Sequence, residues 1–305
     1  KAKLKKDRYG NFEPPKPTKC KYPSGIRKWI QELVRFIVDN QVKPSGGWRY
    51  PGNPLGAPDG DTDLSNVQYA LLGLDAAARC GIKAPPETWK LAAEYLLREQ
   101  DRDGLDTPIW IENEAWDPGF DTPPRFVEVG ETLARPWTYL PGDTELPTGS
   151  MTAAGVTCLA MCKEHLWLQK KLDAKLRGRI DKGLIAGMAW LGDNFSVTEN
   201  PTPGGASQWH YYYLYGLERA GMKVGSRWFG KHDWYREGGE HLLGAQEKHG
   251  GWKEPDGTVR PADSTESKIT QTCFAVLFLK RSTRKPYIPM MPPITGGAGA
   301  PADER

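Results

Sequence analysis

Apolar residues recur at helical spacing in eight segments of the chain, and these segments are of two kinds. The first kind is apolar on one side only, as in "GIRKWIQELVRFIVDNQ" (25–41) and "PPETWKLAAEYLLREQ" (85–100). Similar segments occur at 183–194 and 234–246. The second kind, at 65–81, 149–165, 207–221 and 266–282, is apolar around most of its circumference. A helix of that kind must be enclosed by others, so the pattern predicts inner helices that alternate with one-sided outer helices.

The ends of the predicted outer helices share a motif, which indicates an internal repeat. Two apolar residues are followed by two spacers and an amide side chain: Gln41, Gln100, Asn194 and Gln246. Gly-Gly-Trp follows the first and last copies, at 46–48 and 250–252. We expect the glutamines to bond main-chain groups left unpaired at the helix ends, and Trp48 and Trp252 to pack over those ends. The sequence therefore predicts four outer–inner helix pairs.

The connections from each outer helix to the next inner helix are long, at 42–64, 101–148, 195–206 and 247–265. Alternation of the helices places all four connections at the same end of the assembly. Long connections without secondary structure of their own are usually functional or disordered. This end is therefore the predicted binding face.

Composition excludes several classes of partner. Lys and Arg total 41 against 38 Asp and Glu, for a net charge of +3 without a basic stripe, so we expect no nucleic-acid partner. No apolar run is long enough to predict a transmembrane segment, and the compartment stays open. The five cysteines form no C-x-x-C pair, which argues against a disulfide framework or a zinc knuckle, and we expect Cys158 and Cys162 to be small buried apolar residues.

The alternating helices with "GGW" at 46–48 and 250–252 resemble the QW repeats of the terpenoid cyclases, over about residues 25–282. The resemblance implies the α/α toroid, either a barrel or an open horseshoe of helix hairpins. That architecture is shared by squalene–hopene cyclases, protein prenyltransferase β subunits and the thioester domains of complement-like proteins. The predicted domain spans 25–285, between an N-terminal arm or linker (1–24) and an irregular tail (286–305).

The loop "PDGDTDLSN" (58–66) resembles the Asp-x-Asp-Asp acid motif of class II terpene cyclases. The resemblance implies that Asp61 protonates an alkene or epoxide, with Asp59 and Asp63 in the same acid loop. We further expect Asp263 or Glu266, at the start of the last inner helix, to face Asp61 across a cleft as a carboxylate pair.

Two structural alternatives for the acid loop stay open. Asp63 or Ser65 is well placed to cap the helix that follows. The three aspartates also have the 1-3-5 spacing of a calcium loop, but the twelfth position is Ala70, which argues against an EF-hand-type site.

The segment "QWHYYYLYG" (208–216) is the second candidate site. On a continuous helix Trp209, Tyr212 and Tyr213 share a face, with His210 beside it. Such aromatic side chains either fill the centre of the repeat or line a ligand cavity, where they stabilise carbocations or stack on sugars. The segment resembles the prenyltransferase region that carries a zinc-binding His. No Asp-x-Cys partner occurs, however, so we expect neither a metal nor another cofactor.

Three functions remain open at this point. The first is a prenyltransferase- or squalene-cyclase-like domain that binds an isoprenoid in a central cavity, with or without catalysis. The second is a carbohydrate-active toroid, a glycosidase or lyase with paired carboxylates on an open groove. The third is a non-catalytic scaffold that binds a protein partner and whose centre is filled.

Overall fold

The computed structural model describes residues 23–43, 45–50, 62–112, 125–142, 146–253 and 265–281, excluding the side chains of residues 206, 207, 265 and 266. Helices hold 58% of these residues, well above the roughly one third of an average globular protein. The eight helices of the described chain are α1 (Ser24–Asp39), α2 (Leu64–Arg79), α3 (Pro86–Glu99), α4 (Gly149–Leu168), α5 (Ala174–Asp193), α6 (His210–Val224), α7 (Trp234–Ala245) and α8 (Thr265–Leu279). Each overlaps a segment predicted from the apolar pattern, although α5 begins nine residues before its predicted segment, and the mostly helical fold is confirmed.

The connections between helices also contain strands, which the sequence pattern did not predict. Three antiparallel hairpins pair β1 (Leu105–Glu112) with β2 (Phe126–Ala134), β3 (Asn200–Thr202) with β4 (Gly205–Ser207), and β5 (Trp228–Phe229) with β6 (His232–Asp233). The expectation that 101–148 and 195–206 lack secondary structure is therefore wrong. The largest hairpin packs through both strands on α5, and this tertiary contact stabilises it.

The helices contact one another in a regular order. The inner helices α2, α4, α6 and α8 lie in series, each against the next. The outer helices pack on this series: α1 on α2, α3 and α5 on α4, and α7 on both α6 and α8. The burial of the helices follows this arrangement, since α1 buries only Val34 whereas α4 buries every residue from Gly149 to Leu166.

The last inner helix departs from the predicted pattern. Ile269 and Val276 on α8 expose 59% and 47% of their surface. An apolar helix was expected to be enclosed, but α8 ends the series and no further described helix covers this side. The outward stripe of α1 is also apolar and exposed, with Ile26, Trp29, Leu33 and Phe36 between 42% and 60% exposed.

Three buried tryptophans close the ends of outer helices in the same way. Each donates its indole N–H to the carbonyl four residues before the terminal glutamine, at 2.8 Å: Trp48 to Ile37, Trp137 to Leu96 and Trp252 to Leu242. We call this contact the indole clamp. Its presence confirms the expected packing of Trp48 and Trp252 over the helix ends. In the remaining unit Asn194 donates to the equivalent carbonyl, that of Trp190.

Two of the terminal glutamines join neighbouring outer helices. The amide of Gln41 donates to the carbonyl of Thr88 on α3 at 3.0 Å, and that of Gln100 donates to Gly183 on α5 at 3.0 Å. The turn before Trp48 requires glycine, because Gly46 has φ 91° and a Cβ there would lie 2.3 Å from the carbonyl oxygen of Leu91. These contacts fix the spacing of α1, α3 and α5. None of the helices described is long and apolar enough to cross a membrane.

Candidate ligand site at the inner helices

Most of the predicted acid residues cannot be placed. Asp59, Asp61 and Asp263 lie outside the described residues, and so does the side chain of Glu266. The predicted pairing of Asp61 with Asp263 or Glu266 therefore stays a prediction.

Asp63 is the N-cap of α2. Its buried carboxylate accepts three hydrogen bonds, from the main-chain N–H of Asn66 at 2.8 Å, the Asn66 amide at 2.6 Å and the Ser65 hydroxyl at 2.6 Å. The Asp63 carboxylate thereby satisfies a main-chain N–H and two side-chain donors at the start of α2, where a negative charge is favoured. The geometry supports the capping alternative for Asp63.

The aromatic segment does not form one face, and this part of the prediction is wrong. Trp209 precedes α6 in the left-handed conformation, with φ 70°, and is 41% exposed. Tyr213 points into the core, where its hydroxyl donates to the carbonyl of Ser196 at 3.0 Å. Tyr212 points to another side and donates its hydroxyl to Oε1 of Gln68 on α2 at 2.5 Å. Neighbours on a helix differ by about 100°, so Tyr212 and Tyr213 point to different sides of α6, and Trp209 lies outside the helix that begins at His210.

His210 is a buried structural residue. Its Nε2–H donates to the carbonyl of Val197 at 2.9 Å, so the imidazole is the neutral tautomer protonated at Nε2. Its Nδ1 is buried without a hydrogen-bond partner, and the ring lies 5.2 Å from that of His241. Burial lowers the pKa of His210 to about 4, the bond to Val197 opposes this change, and His241 adds to it. His210 therefore stays neutral and joins α6 to the preceding loop.

The side of α6 that carries Tyr212 forms an aromatic wall with α2 and α8. Phe274 on α8 lies 5.6 Å from Tyr215, nearly parallel to it, and 5.7 Å from Tyr212. Tyr69 on α2 contributes a further ring, 53% exposed. Burial nevertheless raises the pKa of Tyr69. The charges of Arg219 and Tyr215 also act on the Tyr69 hydroxyl, so Tyr69 lies near both residues, and we call Tyr69, Tyr212, Tyr215 and Phe274 the aromatic wall.

Arg219 lies one to two turns farther along the same side of α6. Its side chain is 1% exposed, and its guanidinium carbon stacks over the Tyr215 ring at 4.1 Å. The Nε and Nη2 atoms are buried without a hydrogen-bond partner. The same holds for Nε2 of Gln68, beside the hydroxyl of Tyr212. A buried polar group without a partner costs free energy, and these three donors lie close together on α2 and α6.

A charged cluster ties three inner helices together one turn beyond Arg219. Lys223 on α6 donates to Asp75 on α2 at 3.2 Å and to Glu164 on α4 at 3.3 Å. His165 on α4 bonds the same Asp75 at 3.0 Å and stacks on Trp89 at 4.0 Å between ring centroids. Burial alone would raise the pKa of Asp75, but the bond with His165 and the charge of Lys223 hold it well below its usual range. This cluster is internally paired and acts as a structural tie.

Sequence analysis did not single out Gln68, Arg219 or the charged cluster. A signal was present, because charged residues occurred within segments predicted to be enclosed on most sides. Asp75 and Glu164 each stand in such a segment. An enclosed charge must be paired or bound, and these positions could have been marked on that ground.

Metal and thiol chemistry find little support in the described chain. Within it, no group of three His, Cys, Asp or Glu side chains could hold a metal ion. Cys158 and Cys162 are fully buried free thiols, and burial raises the pKa of Cys158 to about 12. These two residues therefore act as the expected small apolar residues of α4.

Comparisons of the chain with protein-family models, with curated proteins and with solved structures found no match. Any function must therefore be argued from the geometry of this chain.

Proposed function

We propose that the chain is an α/α-toroid-type repeat domain, similar in architecture to the terpenoid cyclases, that binds a small molecule against its inner helices. Two observations support this architecture. The inner helices contact one another in series with the outer helices packed on them, and the indole clamp recurs at three outer-helix ends. In such a repeat the inner helices surround or flank the ligand.

The observation that carries the proposal is the aromatic wall. Tyr69, Tyr215 and Phe274 come from α2, α6 and α8, and these neighbouring rings stay partly exposed, whereas α4 is buried along most of its length. Partly exposed aromatic rings of this kind offer an apolar surface to a ligand, together with hydroxyl groups that orient it. The ligand body is accordingly apolar, as in an isoprenoid. A catalytic role for Asp61 remains a prediction.

The test is solvent extraction of the purified chain, followed by mass spectrometry of the released small molecules. We expect one apolar compound in stoichiometric amount, and its loss from a Phe274→Ala variant because that change removes part of the aromatic wall. Phe36→Ala is the matched control, since Phe36 lies on the outward stripe of α1 and is 56% exposed. No compound from several expression hosts, or equal retention by both variants, contradicts the proposal.

Protein binding is a second candidate function, and the outward stripe of α1 favours it. Exposed apolar side chains in one contiguous stripe often mark an interaction surface. If this surface is the functional one, Phe36→Ala weakens partner binding and Phe274→Ala does not. The same pair of variants therefore separates the two candidate functions.

A further inference from the structure

Arg219 on α6 is a buried positive charge that has no ion-pair partner among the described residues. The structure buries its guanidinium almost completely, yet neither Nε nor Nη2 has a hydrogen-bond partner in the described part of the chain. Among the described residues no carboxylate forms an ion pair with it, and its one described contact with a charged or aromatic group is the stacked ring of Tyr215. A buried cation in this state is unfavourable unless another group binds it.

The neighbouring charges do not supply that group. Asp75 and Glu164 already pair with Lys223, and Asp75 also bonds His165. Arg79 lies 3.8 Å from Asp75 and adds positive charge at the outer edge of the same cluster. The charged cluster is therefore paired within itself, and Arg219 adds a positive charge beside the aromatic wall that no described carboxylate pairs with.

We propose that Arg219 binds the carboxylate of the ligand, so that the domain takes a small molecule with one carboxylate and an apolar body. This inference rests on the proposed function, and it adds the chemical class of the ligand. The two unpartnered nitrogens are the reason for choosing an oxoanion. The Nε–H and one Nη2–H bond lie on the same edge of a guanidinium and match two oxygen atoms of one acid group.

The charge of the site favours a carboxylate over a phosphate. One uncompensated cation balances a monoanion, whereas a phosphate monoester carries close to two negative charges at neutral pH. Burial raises the pKa of Tyr212, and the charge of Arg219 opposes that rise, which places the guanidinium and the hydroxyl in one electrostatic environment. Gln68, bonded to that hydroxyl, offers its free Nε2–H as a third donor.

The experiment compares three probes with one aromatic body and different heads: phenylacetate, benzyl phosphate and 2-phenylethanol. Binding to the full chain is measured by isothermal titration calorimetry for the unmodified protein and for Arg219→Met, Arg219→Lys and Arg236→Met. Arg236 is the matched control because its side chain is 70% exposed on α7. Thermal unfolding of each variant without a probe provides a second readout.

We expect phenylacetate to bind most tightly and Arg219→Met to weaken it at least about tenfold, as for other bonds to a charged group. Arg219→Lys keeps the charge but loses the paired donors, so its affinity for phenylacetate falls between those of the unmodified protein and Arg219→Met. Arg236→Met binds normally. Without a probe, Arg219→Met raises the Tm by a few degrees, because it removes a buried charge that has no partner.

The other outcomes overturn the inference in distinguishable ways. If 2-phenylethanol binds as tightly as phenylacetate and Arg219→Met changes neither affinity, the proposed ligand site is supported but the proposed carboxylate of the ligand is wrong. Tighter binding of benzyl phosphate refutes the choice of a single charge. A lower Tm for Arg219→Met shows that Arg219 is a structural residue. Failure of all three probes to bind counts against the proposed function itself.

Discussion

Replacing His210 by Gln is expected to remove most of the pH dependence of stability between pH 7 and pH 5. The folded chain holds the imidazole neutral, because a second proton on Nδ1 would bury a charge and a donor that has no acceptor. The pKa of His210 is lowered from 6.5 to about 4, chiefly by burial. In the unfolded chain the same group takes up a proton near pH 6.5.

The sign and the size of the effect follow from this difference. Since the folded pKa is the lower one, the contribution of His210 is complete above pH 6.5 and is lost as the pH falls towards 4. Between pH 7 and pH 5 the difference in proton uptake lowers the free energy of unfolding by about 2 kcal/mol. Burial lowers the pKa of His241 as well, so a smaller slope persists in the variant.

The assay is urea unfolding followed by tryptophan fluorescence, at pH 7, 6 and 5. Gln at position 210 retains an N–H donor for the carbonyl of Val197 and does not titrate, so only the slope with pH is compared between variants. His249→Gln is the control, because the His249 side chain is 62% exposed. An unchanged slope in His210→Gln, or an equal reduction in His249→Gln, would refute the reasoning.

Three further predictions concern the core. A Cβ at Gly155 would lie 2.3 Å from the Trp137 ring, so Gly155→Ala should lower the urea midpoint, and Trp137→Phe should relieve part of that loss in a double-mutant cycle. Asp75→Asn leaves Lys223 with one carboxylate and should lower the free energy of unfolding, measured with urea, by about 3–5 kcal/mol. An unchanged free energy of unfolding in this variant would show that the charged cluster is not a structural tie. Cys158 is 0% exposed, so peptide mapping after maleimide treatment of the native chain should find it unmodified, and rapid labelling would contradict its placement.

The helices were predictable because a helix that is buried on one or several sides has apolar residues at helical spacing in its sequence. The apolar stripe of α1 and the small apolar residues of α4 are examples of that spacing.

The hairpin of β1 and β2 has no comparable pattern in its sequence. Its strands are mostly half-buried or exposed, β1 contains Pro108, and its support comes from α5, more than 40 residues later.

The candidate site was less predictable, because it depends on residues that are distant in sequence. Lys223 and Asp75 are 148 positions apart, and Tyr212 and Gln68 are 144 apart. Local pattern cannot tell which charge in an apolar helix meets a partner and which, like Arg219, does not. It also cannot show that the left-handed turn at Trp209 delays the start of α6 and leaves Trp209 outside the helix.

The indole clamp has a consequence for how such a chain can change in length. Trp48 and Trp252 follow their glutamines after a short turn, but Trp137 follows Gln100 only after the whole hairpin of β1 and β2. All three reach the same carbonyl position with the same 2.8 Å bond. Because the bond depends on a helix end and not on a fixed number of residues, segments of very different size can be inserted before the tryptophan while the helical scaffold stays the same. The connections of this fold are therefore places where new recognition elements can be acquired without redesign of the core.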